Sequence, residues 1–264
     1  MQERVLVSID RDIARVTLNR ADKRNALDLA MFDAIVAAQK SLARNRDIRA
    51  VILDGNGKDF CSGLDIKSML GDRSAALRLM WKWLPWRPNR AQAVSTGWGE
   101  LRVPVIAAIH GRCWGGGLQI VLGADFRIVD ERASLSVMEG KWGLIPDMGG
   151  TVAMRDIMPR DQAMRLAMTA ETMDARQALE RGLATLVTDD ARGAAQALAE
   201  QFLDRSPDAI AAVKRLYRKS WRNGGLVLAR ETAYQVRIMA GANQRIAVRR
   251  QRGEPIPWRP AARW

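Results

Sequence analysis

Histidine occurs once in this 264-residue chain and cysteine twice, and these scarcities exclude chemistry early. His110 alone cannot build a multi-histidine metal site, and Cys61 and Cys113 lack the CxxC spacing of a zinc or redox motif. No metal or redox cofactor is implied. Two cysteines also make no disulfide framework, which suits a reducing cytoplasm, where we place the chain. No run of eighteen apolar residues exists to span a bilayer, and the opening MQERVLVSID carries charge too early for a secretory leader, so no membrane partner is expected. Acidic side chains are few beside basic ones: 29 Asp and Glu against 42 Lys and Arg, a net charge of +13. The excess favours anionic partners such as polyphosphates, nucleic acid or acidic lipid heads without choosing among them. Its densest stretch, RIAVRRQRGEPIPWRPAARW, reads as an irregular, solvated basic tail.

What is present is a core. With 48% hydrophobic residues, the chain can bury one large domain or a domain with an appendage. Val5 to Ile9 and Ile13 to Leu18 predict a hairpin turning at Asp10, Arg11 and Asp12. Leu29, Phe32, Ile35, Val36 and Leu42 recur at helical spacing behind a capping Asp28. Ala50 to Leu53, Val103 to Ile109 and Phe126 to Val129 are apolar runs that predict buried strands of a mainly parallel sheet. From Asp161 to about Ala242 helical periodicity dominates, interrupted at 181–189 and at the Ser206, Pro207 boundary.

The stretch HGRCWGGGLQIVLGADFRI places Gly115, Gly116 and Gly117 between a strand that ends at His110 and a helix over Leu118 to Leu122. Such a junction presents unpaired NH groups and a positive dipole end. Neither nucleotide fingerprint is satisfied, because GKS/T is absent and the spacing is not GxGxxG. The glycines either let a helix pack closely or admit an oxygen that gains charge. Ser62 and Gly63, after strand Ala50 to Leu53, repeat the arrangement. If the two junctions face each other, one NH from each would form a two-donor pocket, an oxyanion hole.

FCSGLDIKSM, HGRCWGGGLQIVLGADFRI and MEGKWGLIPDMGGT, in that order and spacing, resemble the enoyl-CoA hydratase/isomerase family, also called the crotonase superfamily. NRADKRNALD near the start is similar as well, and the resemblance runs over roughly residues 5 to 240. It implies an α/β fold: a ββα spiral core, drawn at 1–200, and a helical C-terminal trimerisation region, 201–264, in a homotrimer or dimer of trimers. The implied substrate is an acyl-CoA thioester whose carbonyl oxygen lies between the NH groups of Leu64 and Gly116. For the CoA moiety the resemblance points to Lys23, Arg24 and Ala26 and to Ser62, Gly63, Asp65 and Ile66. The two cations reach phosphates, the backbone of Ala26 and Ile66 meets adenine, and Asp65 alternatively caps a helix.

The family's hydratases pair two glutamates, and here those positions hold Gln119 and Glu139. A neutral amide cannot accept a proton at pH 7, although it can hold water. The departure favours moving a double bond over adding water. Asp147 resembles an acid of the dienoyl-CoA isomerases; it is either a second proton carrier or a turn cap before Gly149 and Gly150. His110 reads as structural, and Cys61 and Cys113 as small apolar fillers. WKWLPWRPNR, residues 81–90, reads as a wall of the acyl pocket, with a surface helix or a nucleobase-stacking site as alternatives. The rival to an enzyme is an RNA-binding or assembly member with a decayed site, although no RNP or KH pattern supports nucleic acid.

Overall fold

The computed structural model describes residues 3–256 except 72, 206, 221–231, 234, 237 and 238. Strands β1 (Val5–Asp10) and β2 (Ile13–Leu18) form the expected hairpin, Asp10 opposite Ile13. Its two turn residues, Arg11 and Asp12, take φ of 44° and 66°, the positive pair that a two-residue turn between twisted strands demands. β2 pairs in parallel with β3 (Ala50–Gly55), and β4 (Val105–Ile109), β6 (Phe126–Asp130) and β9 (Leu186–Thr188) extend a six-stranded sheet in the order β1-β2-β3-β4-β6-β9. β4 starts two residues later than its apolar run because Pro104 has no NH to give the ladder, though its carbonyl accepts from the Val51 NH at 2.9 Å.

Both faces of β3 and β4 are buried, which explains the apolar runs at 50–53 and 105–109; Asp54, also buried in β3, is paired with Arg15 and Arg192. One face packs in the main core with α1 (Leu29–Arg44), whose Asp28 cap accepts the Met31 NH at 2.8 Å. On the other, Ile52, Ile106, Ala108 and Ile128 meet Ala191, Ala195 and Ala199 of α9 (Ala191–Leu203). The boundary drawn at 200 therefore falls inside a helix that covers the sheet.

A second sheet, β5-β7-β8 (Arg112–Trp114, Ser134–Ser136, Thr172–Asp174), was not foreseen; its three-residue strands are too short to show a period. The helical C-terminal part holds α7 (Arg160–Thr169), α8 (Ala175–Glu180), α9 and α10 (Pro207–Ser220), and β9 lies in the interruption at 181–189. Lys214 anchors α10 to the core: its Nζ lies 2.7 Å from Asp125 Oδ2 and donates to the Val103 carbonyl at 2.7 Å. Burial lowers its pKa. The basic stretch from Arg245 is a correction. It lies in α11 (Ala242–Gln251), whose Arg249 and Arg250 suit the C-terminal dipole and whose Ile246 is buried. Ser206, much of the periodic stretch after 220, and the final eight residues of the expected tail lie outside the described residues.

Candidate active site

The two strand-to-helix junctions face each other. Cys61 bridges Cys113 in parallel, with the Cys61 NH donating to the Arg112 carbonyl at 2.9 Å and the Trp114 NH to the Cys61 carbonyl at 3.0 Å. Gly63 then turns at φ 96°, and a Cβ there would lie 3.0 Å from the Trp114 carbonyl and 3.6 Å from the Gly116 nitrogen. A larger residue would be strained by its backbone and would crowd the approach. Opposite it, Gly115 sits at φ 51°, ψ −120° as the N-cap of α5 (Gly116–Leu122), its NH tied to the Ser136 carbonyl at 2.9 Å.

The Leu27 NH donates to the Gly63 carbonyl at 2.8 Å and the Asp65 NH to the Leu27 carbonyl at 3.0 Å. In an extended chain alternate peptide groups face opposite ways, so the Leu64 NH turns from Leu27 toward the Gly116 side. Neither the Leu64 nor the Gly116 NH donates to any acceptor among the described residues. Both NH groups are therefore free to meet an acceptor from outside the chain.

Beside them lies a polar cluster. Gln119, buried on α5, accepts at Oε1 from the Met148 NH at 2.9 Å and the Gly150 NH at 3.2 Å. These bonds fix the amide's orientation, so its Nε2 donates to Glu139 Oε1, 2.5 Å away. Glu139 stands in the 3₁₀ turn Met138–Trp142 after β7, and a Cβ on Gly115 would lie 3.5 Å from its Oε1. Its Oε2 is buried with no hydrogen-bond partner among the described residues. Burial, with the Asp147 charge adding to it, pushes the Glu139 pKa up to about 7 against the hydrogen bonds it accepts, that of Gln119 among them. Burial likewise pushes Asp147 up to about 7.

Lys23 and Arg24 are exposed around the 3₁₀ turn Ala21–Lys23, and the Ser62 NH donates to the Arg24 carbonyl at 3.0 Å, so the two CoA-directed segments run side by side. Ala26 gives its carbonyl to Arg20, while Ser62 and Ile66 are half-buried. Asp65 takes the capping alternative: its Oδ1 accepts from the Ser68 NH at 3.1 Å at the start of α2 (Ile66–Gly71), and its Oδ2 from Arg20 at 2.8 Å. Although burial raises it, these bonds hold its pKa below the usual carboxylate value.

Sequence reasoning missed Asn25. Fully buried at φ 53°, it accepts the Arg20 NH at 2.8 Å and donates to the carbonyls of Asn56, Asp59 and Phe60 at 2.9 to 3.0 Å, pinning the first motif to the loop that leads into Gly63. Its signal was an asparagine between a charged turn and an apolar run, the type that tolerates positive φ and bonds backbone. His110 directly follows β4, with Nε2 3.1 Å from the Gly57 carbonyl, and burial lowers its pKa. Cys61 and Cys113 are buried, unpaired thiols; burial raises both, Cys61 to about 12, so neither supplies a thiolate. Among the described residues no group of three or more His, Cys, Asp or Glu side chains is gathered to hold a metal.

Two strand-to-helix junctions facing each other beside a buried carboxylate, on two sheets flanked by helices, define an α/β protein of the crotonase fold. A crystal structure of an enoyl-CoA hydratase/isomerase from Mycobacterium paratuberculosis shares the fold at a TM-score of 0.85, with 23% identity, 95% of this chain and 99% of that one covered. The chain matches the family model described as enoyl-CoA hydratase/isomerase over residues 8–245, and it belongs to that family. It is 31% identical to the peroxisomal Delta(3,5)-Delta(2,4)-dienoyl-CoA isomerase of Arabidopsis thaliana, over 80% of this chain and 79% of that protein. It is also 31% identical to a probable enoyl-CoA hydratase of Mycobacterium tuberculosis, over 84% and 85%.

Proposed function

We propose that this enzyme shifts a carbon–carbon double bond in an enoyl- or dienoyl-CoA thioester. One observation carries the reading: of the two positions where the family's hydratases pair glutamates, only Glu139 can carry a proton, and Gln119 is clamped as its donor rather than offered to a water. Removing a proton beside a thioester carbonyl creates an enolate whose charge gathers on the carbonyl oxygen. The NH groups of Leu64 and Gly116 meet that charge, each donor of this kind contributing roughly 3 to 4 kcal/mol. Glu139 Oε2, held clear of other bonds, takes the proton from one carbon and returns it to another along the conjugated chain. A pKa of about 7 suits both halves of that exchange. Asp147, equally perturbed, serves as a second carrier for a dienoyl chain.

Lys23 and Arg24 hold CoA phosphates, and the backbone of Ala26 and Ile66, with Ser62 and Gly63 beside them, frames the adenine. CoA enters as part of the substrate. The dienoyl-CoA isomerase relative supports this reading. The hydratase-named relative supports the second, in which Glu139 activates water alone. We further propose a homotrimer or dimer of trimers in the cytoplasm, which light scattering and localisation test. The reaction is tested by following 3-enoyl- and 3,5-dienoyl-CoA by ultraviolet absorbance alongside hydration of a 2-enoyl-CoA: the shift is expected to be the faster, and rapid hydration with no shift overturns it.

A further inference from the structure

The segment after α2 carries a surface that the proposed reaction does not use. Helix α3 (Arg73–Met80) turns Leu79 into the core beside Ala91 and Val94, and the Trp81 NH continues its last turn to the Leu77 carbonyl at 2.9 Å. That bond puts Leu77 and Trp81 on one outward face, one helical turn apart. Leu77 is 69% exposed, Trp81 74%, Trp83 86% and Trp86 56%. The expected acyl-pocket wall therefore presents its tryptophans to solvent. Singly exposed apolar side chains are ordinary, but four within ten residues mark an interaction surface.

Charge says which kind. Residues 73–99 hold five Lys and Arg and no Asp or Glu. Arg87 and Arg90 are exposed beside the tryptophans, Arg90 lying 3.3 Å from Asp33. Indole rings settle at the boundary between headgroups and acyl chains, leucine enters below them, and cations at the rim meet anionic headgroups. Stacking on single-stranded RNA uses aromatics as well, yet it needs a platform along which successive bases lie. Trp83 and Trp86 stand instead on a turn between α3 and α4 (Arg90–Glu100), with aliphatic Leu77 in the same patch. We infer that the Trp81–Trp86 segment docks this enzyme peripherally on an anionic lipid surface. The absence of a spanning run, which argued against any membrane partner, does not bear on such a surface.

The test uses the full-length protein with vesicles of phosphatidylcholine alone and with roughly 30% phosphatidylserine, an anionic surface of the kind that basic segments seek. Expected are sedimentation with the anionic vesicles only, shielding of a tryptophan fraction from acrylamide, and release in 1 M salt, where the screening length falls from about 8 to about 3 Å. Combining Trp81→Ser, Trp83→Ser and Trp86→Ser should weaken partitioning by at least about tenfold, and Lys82→Glu with Arg87→Glu, which keeps the rings, should do likewise. Circular dichroism and light scattering establish that each variant keeps its fold and size. Failure of the unmodified protein to sediment with anionic vesicles overturns the inference. So does tryptophan shielding by a uridine oligonucleotide but not by vesicles, or a fall in oligomer size in the serine variant, which would assign the patch to a second copy.

Discussion

Replacing Gln119 with glutamate changes one atom's character at the most constrained point of the site. The Met148 and Gly150 NH groups still claim one oxygen, so the other takes the place of Nε2, 2.5 Å from Glu139 Oε1. Two carboxylate oxygens at that distance cannot both be ionised and must share a proton, as dyads do. Glu139 already stands at about 7, so the pair's upper ionisation should move up by a further ~1 to 3 units. At pH 7 the variant then holds an acid and a base side by side, the equipment hydration asks for. Isomerisation near pH 7 should fall about tenfold or more, with the alkaline rise of its rate displaced upward, while hydration of a 2-enoyl-CoA appears or increases. The assay is the pH dependence of kcat for both reactions, read by loss or shift of the conjugated absorbance. An unchanged isomerisation profile with no gain in hydration refutes the claim that Gln119 acts by donating to Glu139.

Asp147→Asn should cost a factor of about 10² to 10⁴ on dienoyl-CoA if Asp147 is the second carrier, and less on 3-enoyl-CoA, where one carrier suffices; steady-state kinetics on both substrates decides it. The same variant should alter the pH dependence of stability. A folded-state pKa raised from 3.8 to about 7 means that the carboxyl's advantage is complete below pH 3.8 and is lost as pH rises through 7, so relative to the unmodified protein the asparagine variant should gain stability above pH 7, by roughly 4 kcal/mol at most in urea titrations. Acetoacetyl-CoA should raise the melting temperature, because it binds only the folded protein, and salt should weaken the effect if Lys23 and Arg24 hold its phosphates.

Much of this frame was legible because its signals are local. Asp28 caps a helix by residue type, the short charged gap between two alternating runs marks the turn that Arg11 and Asp12 make, and the runs at 50–53 and 105–109 are apolar because both faces of their strands are buried. The pairing of Gly63 against Gly116 was legible from ordered motifs, not from either glycine. What stayed hidden is what only tertiary contact defines. β5, β7 and β8 are three residues each; Asn25 gains its role from three carbonyls more than thirty residues away; α11 was taken for a tail because its arginines mask a helix with a single buried isoleucine. The clamp on Gln119 was out of reach as well, since it needs the backbone of Met148 and Gly150.

The central claim is that Glu139 moves the proton beside a thioester held by Leu64 and Gly116. Its most direct test is Glu139→Gln, with the 3-enoyl-CoA shift rate and acetoacetyl-CoA affinity measured on the same preparation. The amide removes the proton carrier and leaves both backbone donors and the CoA segments in place. The account predicts a rate lower by about 10²- to 10⁴-fold, the usual worth of a positioned acid–base group, with affinity changed by less than about threefold. A variant that shifts the double bond at the unmodified rate contradicts it.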